Sequence, residues 1–497
     1  MPNDPHPISS HASTRRNFLK QSGCIAALGA TGGIGPGLVR AQEPPSVSNA
    51  GQAKNIIFMV SDGMSNGTLS MTDQFVRLRD RRPSHWINLY SRPGVVRGLM
   101  DMASASNLVT DSAAAASSWG CGQRVDNGRV NVNHGGEWLD PILVIAHRNG
   151  LRTGLVTTAT VTHATPAGFA ANGRSRQAEQ DFAVQYLERN IDVILGGGQL
   201  LFSGEHREDG RDLTGDFREK GYATPTTRED LLAALPKNGN DQENATEKLL
   251  GLFSPSHLPY EIDRLNDPES QAGVPSLAEM TDVALRALSK DDRGFLVQIE
   301  GARVDHAAHA NDLSGLIYDQ IAFDEAIAVA LDFVETHPDT LLIVTTDHGN
   351  ANPGLNQGSH EGARTLGRLR EFKGSLSSLS LRLGNLDAPT LDEIQDLVSA
   401  TTGRPLAMEE AQILLDRLHG GPTAPYRRMA GLSAVLGQVL ANTLEVGWVG
   451  NVHTSDYVEL TALGPGSEHI KPFTRNTELF SLMMRVLELD PGTGNDL

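Results

Sequence analysis

Short apolar segments recur along the chain, and longer stretches with helical spacing of apolar and polar residues separate them. The clearest apolar segments cover residues 55–61, 152–158, 192–195, 295–299 and 341–346. Continuous apolar runs of this length are typical of strands that are buried on both faces of a parallel sheet. The pattern therefore predicts an α/β fold with a mostly parallel central sheet flanked by helices.

Helical periodicity is clearest between these strands and near the end of the chain. The predicted helices cover residues 138–149, 177–188, 277–290, 312–334 and 477–487. A last strand is predicted at residues 457–463. Between residues 200 and 273 the sequence is polar and irregular, which predicts a surface excursion without a part in the chemistry.

The composition changes over residues 361–448, where a capping box at Thr390 begins a short helix. Two more helices are predicted there, at 408–418 and 426–443. We interpret this segment as a cap inserted into the main domain. The predicted organisation is a leader over residues 1–41, a linker over 42–53 and one large domain over 54–490 that contains the cap.

The first 41 residues have the features of an export signal. The segment 13–20 (STRRNFLK) contains a twin-arginine pattern, an apolar run rich in Gly and Ala follows, and residues 39–41 (VRA) offer a cleavage site. We therefore expect a twin-arginine signal peptide and a periplasmic or secreted protein. The run is too short and too rich in glycine for a membrane anchor. A disordered basic tail is the simpler alternative.

The net charge limits which partners the protein can bind, and the cysteine content limits which disulfides it can form. The chain has 60 acidic and 42 basic residues and a formal net charge of −18, which opposes a nucleic acid or an anionic membrane as partner. Once residues 1–41 are removed, Cys121 is the only cysteine left, so an internal disulfide is excluded.

Acidic residues stand where three of the apolar segments end. Asp62 follows the first segment, Glu300 follows the fourth, and Asp347 with His348 follows the fifth. Because the carboxyl ends of parallel strands lie along one edge of a sheet, we expect these side chains to meet there. A plain turn residue or a solvated loop acid is the simpler interpretation of each motif alone.

Other candidate ligands accompany these strand ends. Asp305 and His309 stand four residues apart, so on a helix both would face the same way and could bind one metal ion. His163 and Thr165 stand two residues apart and would share a face in an extended segment. His453 precedes the last strand. Carboxylate oxygens and imidazole nitrogens suit zinc, and their number exceeds what one ion needs, which indicates two or three ions.

An alanine-rich helix is predicted after residue 110, because alanine has high helix propensity and Thr110, Asp111 or Ser112 could each cap it. A capped helix is the simpler interpretation. In the functional interpretation, Ser112 is a nucleophile at a helix N-terminus, where free N–H groups and the helix dipole favour an anion. A serine beside a metal ion can lose its proton near neutral pH and attack phosphorus.

Six motifs, taken together and in this order, resemble the alkaline phosphatases. They are VSDGM, VTDSAAAASSWGCG, HATPAGFAANGRSR, EGARVDHAAH, TTDHG and HTSDY, and the similarity extends over residues 55–487. The resemblance implies a single alkaline-phosphatase-like domain. It also implies hydrolysis of phosphate monoesters through a phosphoserine intermediate, with two zinc ions and a third ion, usually magnesium.

The resemblance implies a role for each site residue as well. Ser112 would be the nucleophile and would contact the second zinc, and Arg176 would bind the phosphate oxygens. The ligands would be Asp305, His309 and His453 for the first zinc, Asp62, Asp347 and His348 for the second, and Asp62, Thr165 and Glu300 for the third ion. His163 and His306 stand where some members have Asp and Lys, so the third metal differs in its surroundings, and His163 is a further candidate ligand.

Two alternatives stay open at this point. A phosphodiesterase or another hydrolase of the same superfamily would share the metal core, and a non-catalytic metal- or phosphate-binding protein of the periplasm would share part of it. The Asp-Ser-Ala-Ala sequence with a downstream Ser-Arg favours monoesters. The expected partners are small phosphate monoesters, with a homodimer as an option and with neither nucleic acid nor a membrane anchor.

Overall fold

A parallel sheet with helices on both faces forms the body of the chain. The computed structural model describes residues 52–235, 248–357, 362–421 and 426–492. The strands are β1 Asn55–Ser61, β2 Val96–Asp101, β3 Arg152–Thr160, β4 Val193–Gly197, β5 Leu249–Leu252, β6 Phe295–Gly301, β7 Thr340–Thr345, β8 Gly349–Asn350, β9 Pro353–Leu355, β10 Val446–Trp448, β11 His453–Thr454, β12 Val458–Leu463 and β13 Phe473–Arg475.

The helices follow the strands in chain order and cover both faces of the sheet. They are α1 Asn66–Asp80, α2 His85–Leu89, α3 Ser112–Cys121, α4 Ile142–Arg148, α5 Ala164–Ala170, α6 Glu179–Glu188, α7 Leu213–Glu219, α8 Arg228–Ala234, α9 Glu261–Asn266, α10 Pro268–Gly273, α11 Leu277–Leu288, α12 Arg303–His309, α13 Leu313–Thr336, α14 Gly362–Gly367, α15 Leu376–Gly384, α16 Leu391–Thr402, α17 Met408–Leu418, α18 Leu432–Leu444 and α19 Glu478–Val486.

The central sheet is mostly parallel, which confirms the predicted fold class. In the described part of the chain it has nine strands, in the order β13-β2-β12-β7-β1-β6-β3-β4-β5. The pairs from β7 to β5 are all parallel, and β12 is antiparallel to both of its neighbours. Strands β1, β6 and β7 are buried along their whole length, as continuous apolar runs require in a sheet covered on both faces.

Strand register brings the acidic strand ends level with one another. Glu300 on β6 lies opposite Val60 on β1 and opposite Thr157 on β3, and Val60 also lies opposite Thr345 on β7. Asp62 and Asp347 follow within two residues of these positions. The register of the strands therefore places these side chains at one edge of the sheet, as expected.

Two apolar clusters hold the helices against the sheet. One contains side chains of α1, α2, α11, α12 and α13, and the other contains side chains of α3, α4, α5, α6 and α19. The helices of the 361–448 segment contribute Leu366, Leu379, Ile394 and Leu440 to the first cluster. The proposed cap therefore shares its buried apolar surface with the helices of that face, and its status as an insertion stays a prediction.

The expectation for residues 200–273 was wrong. The described residues of this segment form four α-helices and supply β5, which pairs parallel to β4 as the last strand of the sheet. The strand is only four residues long, with the sequence LLGL, and the polar residues on both sides dilute its signal. An edge strand so short carries too little periodicity to be recognised from sequence.

Two helices, α4 and α18, begin at least four residues later than predicted, and their starts have local causes. Pro141 is the N-cap of α4, so the helix expected from residue 138 begins at Ile142, while Trp138 forms an antiparallel bridge with Val132. In the segment 426–443 a 3₁₀ turn and the extended Gly431 precede α18.

The predicted leader, residues 1–41, lies outside the described residues. None of the described helices has the length and apolar character needed to cross a bilayer.

Helices α3 and α5 touch through glycines. A Cβ atom on Gly120 would overlap the carbonyl oxygen of Gly168, and a Cβ atom on Gly168 would press against Ala116. This contact fixes α3 against α5, and α3 begins at Ser112. Close packing of backbone on backbone leaves no side-chain rotamer that could absorb a change.

We expect Gly120→Ala to lower the free energy of unfolding by about 1–3 kcal/mol, because the added methyl group must displace backbone atoms. Urea or thermal unfolding followed by circular dichroism measures this loss. Gly367→Ala is the matched control, because no atom lies within 4 Å of its added Cβ and the residue ends a helix. Equal stability of the two variants would contradict the packing argument.

Candidate metal centre

The edge of the sheet beyond β1, β6 and β7 carries a group of buried carboxylates. Asp62, Glu300 and Asp347 are all fully buried. Asp62 directly follows β1, and the chain then turns at Gly63, whose φ is +67° and whose N–H donates to Asp347 Oδ1 at 2.9 Å. A Cβ atom on Gly63 would collide with the Asp305 side chain, so only glycine fits this turn. The turn thus packs the carboxylates directly against one another.

The first group of candidate ligands consists of Asp305, His309 and His453. Asp305 and His309 lie on the same face of α12, as their spacing predicted, with His309 Nε2 3.3 Å from Asp305 Oδ2. His453 Nε2 lies 3.6 Å from Asp305 Oδ1 and 3.1 Å from His309 Nε2. Ligand atoms of the three residues lie within 4.8 Å of one another.

The two histidines of this group are oriented by backbone carbonyls. His309 Nδ1 lies 2.9 Å from the carbonyl oxygen of Asn451, and His453 Nδ1 lies 3.0 Å from that of Thr110. A carbonyl can only accept, so both Nδ1 atoms carry the proton. With both rings neutral, the two Nε2 lone pairs would face each other across 3.1 Å, an arrangement that a proton or a metal ion between them stabilises. This arrangement is how proteins orient histidine ligands of zinc.

The second group consists of Asp62, Asp347 and His348, all buried. His348 Nε2 lies 3.1 Å from Asp347 Oδ2 and 3.6 Å from Asp62 Oδ1. The Oγ atom of Ser112 lies 3.2 Å from the same His348 nitrogen. Ser112 is the first residue of α3, and of the three possible caps it is Asp111 that accepts a hydrogen bond from Ala114 N–H.

The third group consists of Asp62, His163 and Glu300. Thr165 Oγ1 lies 3.5 Å from Asp62 Oδ2, so the predicted threonine is also adjacent. The extended conformation expected for His163 and Thr165 was wrong, because α5 begins directly after His163 and contains Thr165. Both side chains nevertheless reach the same carboxylate. Thr157 on β3 donates to Glu300 Oε2 at 2.5 Å.

The donor atoms fit divalent ions. Within the described part of the chain, Asp62 Oδ1, Glu300 Oε1 and His163 Nδ1 are buried without a hydrogen-bond partner. A buried oxygen without a hydrogen-bond partner lowers the stability of the folded state, and native proteins rarely contain several such atoms close together. Nitrogen and oxygen donors in sets of three, sharing Asp62 between two sets, are what closely spaced metal ions require.

Arg176 lies beside the start of α3. Its Nη1 donates to Asp111 Oδ2 at 3.1 Å, and its Nη2 lies 3.2 Å from His163 Nε2. Helix α6 begins at Glu179 rather than at residue 177, so Arg176 lies in the preceding loop. Its side chain is 22% exposed, which leaves it open to a small ligand.

Comparisons with known proteins agree with this geometry. The family model described as Alkaline phosphatase matches residues 53–374. The chain is 31% identical to the alkaline phosphatase of Schizosaccharomyces pombe over 86% of this chain and 80% of that protein, and 28% identical to alkaline phosphatase 3 of Bacillus subtilis over 88% and 90%. The crystal structure of Thermus thermophilus alkaline phosphatase superposes with a TM-score of 0.81 at 32% identity, covering 90% of this chain and 96% of that one.

The chain belongs to the alkaline phosphatase family. The family match confirms the resemblance seen in the six motifs and makes the protein a phosphoric monoester hydrolase. The description of the individual site residues rests on their geometry in this chain.

The pKa values in this alkaline phosphatase homologue indicate that the buried carboxylates of the site would be stabilised by added positive charge. Burial, followed by repulsion from Asp347 and Asp305, raises the pKa of Asp62 well above its usual value. Burial also raises the pKa of Glu300 to about 7. Burial disfavours the charged form of His309, but the Asp305 carboxylate outweighs it and raises the pKa of His309 to about 9. Without ions, protons supply the charge that the carboxylates need.

Sequence reasoning missed three residues of this region. Asn350 donates to Asp305 Oδ1 at 2.6 Å, and it directly follows the motif TTDHG, which was a usable signal. Thr157 could be found only once its register with Glu300 was known. His257 comes from the segment that was expected to have no chemistry, and its ring centroid lies 5.8 Å from that of His163.

We expect chelation to lower both activity and stability, because the ligand carboxylates lose the cations that offset their repulsion. A site held at a hundredfold excess of ion over its Kd contributes about 2.7 kcal/mol to the free energy of unfolding. Thermal unfolding with a chelator, then with zinc and magnesium restored, measures the effect. Asp305→Asn should reduce the stabilisation by added metal, whereas Asp332→Asn on the exposed face of α13 should not. Full activity of a verified metal-free sample would contradict the assignment.

Proposed function

We propose that this protein is an exported alkaline phosphatase that hydrolyses phosphate monoesters through a phosphoserine at Ser112. The observation that carries the proposal is the position of Ser112 Oγ, 3.2 Å from His348 Nε2 and at the N-terminus of α3. A hydroxyl in that position faces the second group of candidate ligands and the positive end of a helix dipole. Family membership supports the same reaction class.

The chain's own residues account for binding and orientation. The N–H groups at the start of α3 and the guanidinium of Arg176 would hold the phosphoryl oxygens. Ser112 Oγ would attack phosphorus in line with the departing alkoxide, so that the new O–P bond forms as the ester O–P bond breaks. Water would then cleave the phosphoserine and release inorganic phosphate, which restores the Ser112 hydroxyl.

The metal assignments are part of this proposal. Asp305, His309 and His453 would hold one zinc, Asp62, Asp347 and His348 a second, and Asp62, Thr165 and Glu300, with His163 beside them, a third ion, proposed as magnesium. When bound, such ions lower the pKa of a serine hydroxyl or water and neutralise a departing alkoxide. Asn350, Thr157 and the carbonyls of Thr110 and Asn451 fix the orientation of the ligands.

A phosphodiesterase with the same ligand groups is the second candidate. Arg176 favours the monoesterase, because a planar guanidinium can take two of the three non-bridging oxygens that only a monoester offers. Parallel assays with p-nitrophenyl phosphate, its diester and p-nitrophenyl sulfate separate the candidates. A higher kcat/KM for the diester than for the monoester would reject the proposal.

Export by the twin-arginine route is proposed from residues 13–20, and a homodimer stays an expectation. The double variant Arg15→Lys/Arg16→Lys should keep activity in the cytoplasm and lose it from the periplasm, because the receptor reads both guanidinium groups. Cell fractionation with the wild type as reference measures this. Unchanged periplasmic activity would count against the route.

Ser112→Ala should lose turnover by at least about a thousandfold, because the covalent intermediate needs its oxygen. Zinc content should stay close to that of the wild type. Ser118→Ala is the matched control, since this buried serine lies in the same helix and its hydroxyl donates only to the carbonyl oxygen of Ala114 in the described structure. Trapping phosphate on the wild-type protein at acid pH should label the peptide that contains Ser112, and a label elsewhere would refute the role.

Arg176→Ala should weaken inhibition by inorganic phosphate by roughly ten- to a hundredfold, because a charged hydrogen bond contributes about 1.5–3 kcal/mol. The kcat value at saturation should fall less, since Ser112 and the metal ligands remain. Arg174→Ala removes an exposed arginine two residues away and serves as the control. An unchanged inhibition constant for phosphate in Arg176→Ala would remove Arg176 from the binding site.

A further inference from the structure

A cluster of three residues outside the ligand groups lies next to His163, the neighbour of Arg176, and has no assigned part in the reaction. His257 comes from the loop after β5, and Arg303 and His306 lie in the first turn of α12. The carboxyl end of β3 anchors both segments. Leu258 N–H donates to the Thr158 carbonyl at 3.0 Å, and Arg303 N–H donates to Thr158 Oγ1 at 3.2 Å.

The hydrogen bonds within this cluster fix which ring atoms carry protons. The N–H of Thr160 donates to His257 Nδ1 at 3.1 Å. The guanidinium of Arg303 donates through Nη1 to His306 Nδ1 at 2.8 Å. Because an imidazole that accepts at Nδ1 must carry its proton at Nε2, both rings offer an Nε2–H donor. Neither Nε2–H donor has a hydrogen-bond acceptor in the described structure.

Arg303 brings a positive charge without a carboxylate partner among the described residues. Its guanidinium carbon lies 3.7 Å from the centroid of the Tyr260 ring, and its Nε is buried without a hydrogen-bond partner. The acidic side chains on the neighbouring helices α9 and α13 accept hydrogen bonds from other residues. Asp263 accepts from the N–H and Oγ of Ser375, and Asp319 accepts from the N–H of Glu261. In a chain with a net charge of −18, such a cation is well placed to attract an anion.

The cluster continues directly from the proposed phosphate site. His163 lies between them, with its Nε2 3.2 Å from Arg176 Nη2 and its ring centroid 5.6 Å from that of His306. The rings of His257 and His306 lie 4.6 Å apart. All of these side chains are partly exposed, so a substrate bound at Arg176 could extend over them.

We propose that His257, Arg303 and His306 form a subsite for a second phosphoryl group of the substrate. The inference rests on the proposed function, because it concerns the selection of monoesters at the same site. Two imidazole N–H donors and one guanidinium match the oxygens of a phosphate, and a simple monoester leaves them unused. The enzyme should therefore prefer phosphate monoesters that carry a second phosphate, such as sugar bisphosphates, over their monophosphate counterparts.

The test compares kcat/KM for fructose 1,6-bisphosphate and fructose 6-phosphate with the metal-loaded enzyme at fixed zinc and magnesium. The wild type should favour the bisphosphate by about tenfold or more, and added salt should reduce the preference. Arg303→Gln should lower the bisphosphate-to-monophosphate ratio by about tenfold, and Arg303→Lys should retain most of it. Arg218→Gln, which removes an exposed arginine on α7, should leave the ratio unchanged.

His257→Gln provides a second variant that leaves α12 intact, and it should lower the same ratio. A wild-type ratio near one would overturn the subsite, as would a ratio that Arg303→Gln and His257→Gln leave unchanged. An equal loss for both sugars would show that the cluster only supports the neighbouring ligand groups, and it would also overturn the subsite. Failure of the proposed function is distinct, because the wild type would then not hydrolyse p-nitrophenyl phosphate.

Discussion

Repulsion among four buried carboxylates is the constraint on which the rest of this structure depends. Asp62, Glu300, Asp305 and Asp347 are buried within one small region, and moving a single charge out of water costs several kcal/mol unless it is paired. Strand register and the glycine turn after β1 force three of them together. The imidazoles of His309 and His348 offset part of this charge, and the proposed metal ions would offset the rest. The candidate ligand groups are therefore a consequence of the sheet, and the proposed metal ions would complete the fold as well as the site.

Ser112, the proposed nucleophile, depends on a second constraint, which is centred on Asp111. One carboxylate oxygen of Asp111 caps α3 through Ala114 N–H, and the other accepts from Gly128 N–H and from Arg176. A single side chain thus fixes the helix that begins at Ser112 and the cation proposed to bind its substrate. Backbone contact between α3 and α5 at Gly120 prevents the helix from shifting along its axis. Rigidity of this kind is what in-line attack requires.

The sequence was sufficient for the parts that local pattern determines. Buried strands, their acidic ends and the spacing of Asp305 and His309 followed from apolar runs and helical geometry. Long-range pairing was not accessible, because nothing local distinguishes Thr157 as the residue opposite Glu300. The edge strand β5 was missed because its four residues carry too little periodicity, and with it the loop that carries His257 to the end of β3. His163 and Thr165 were assigned to the correct region with the wrong conformation, because two residues are too few to separate an extended segment from the first turn of a helix.

Protons and the proposed metal ions would compete for the same carboxylates and imidazoles, and the pH would determine which of them binds. In the ion-free chain, burial raises the pKa of Glu300 to about 7, and the Asp305 carboxylate raises the pKa of His309 to about 9 against the opposing effect of burial. Groups whose pKa is raised by folding stabilise the protein below their unfolded pKa and lose that contribution as pH rises through the folded value. An ion that binds displaces these protons, so its affinity rises over the same range. Alkaline conditions should therefore weaken the ion-free protein and at the same time favour ion binding, so that the proposed metal ions would contribute most to stability at high pH.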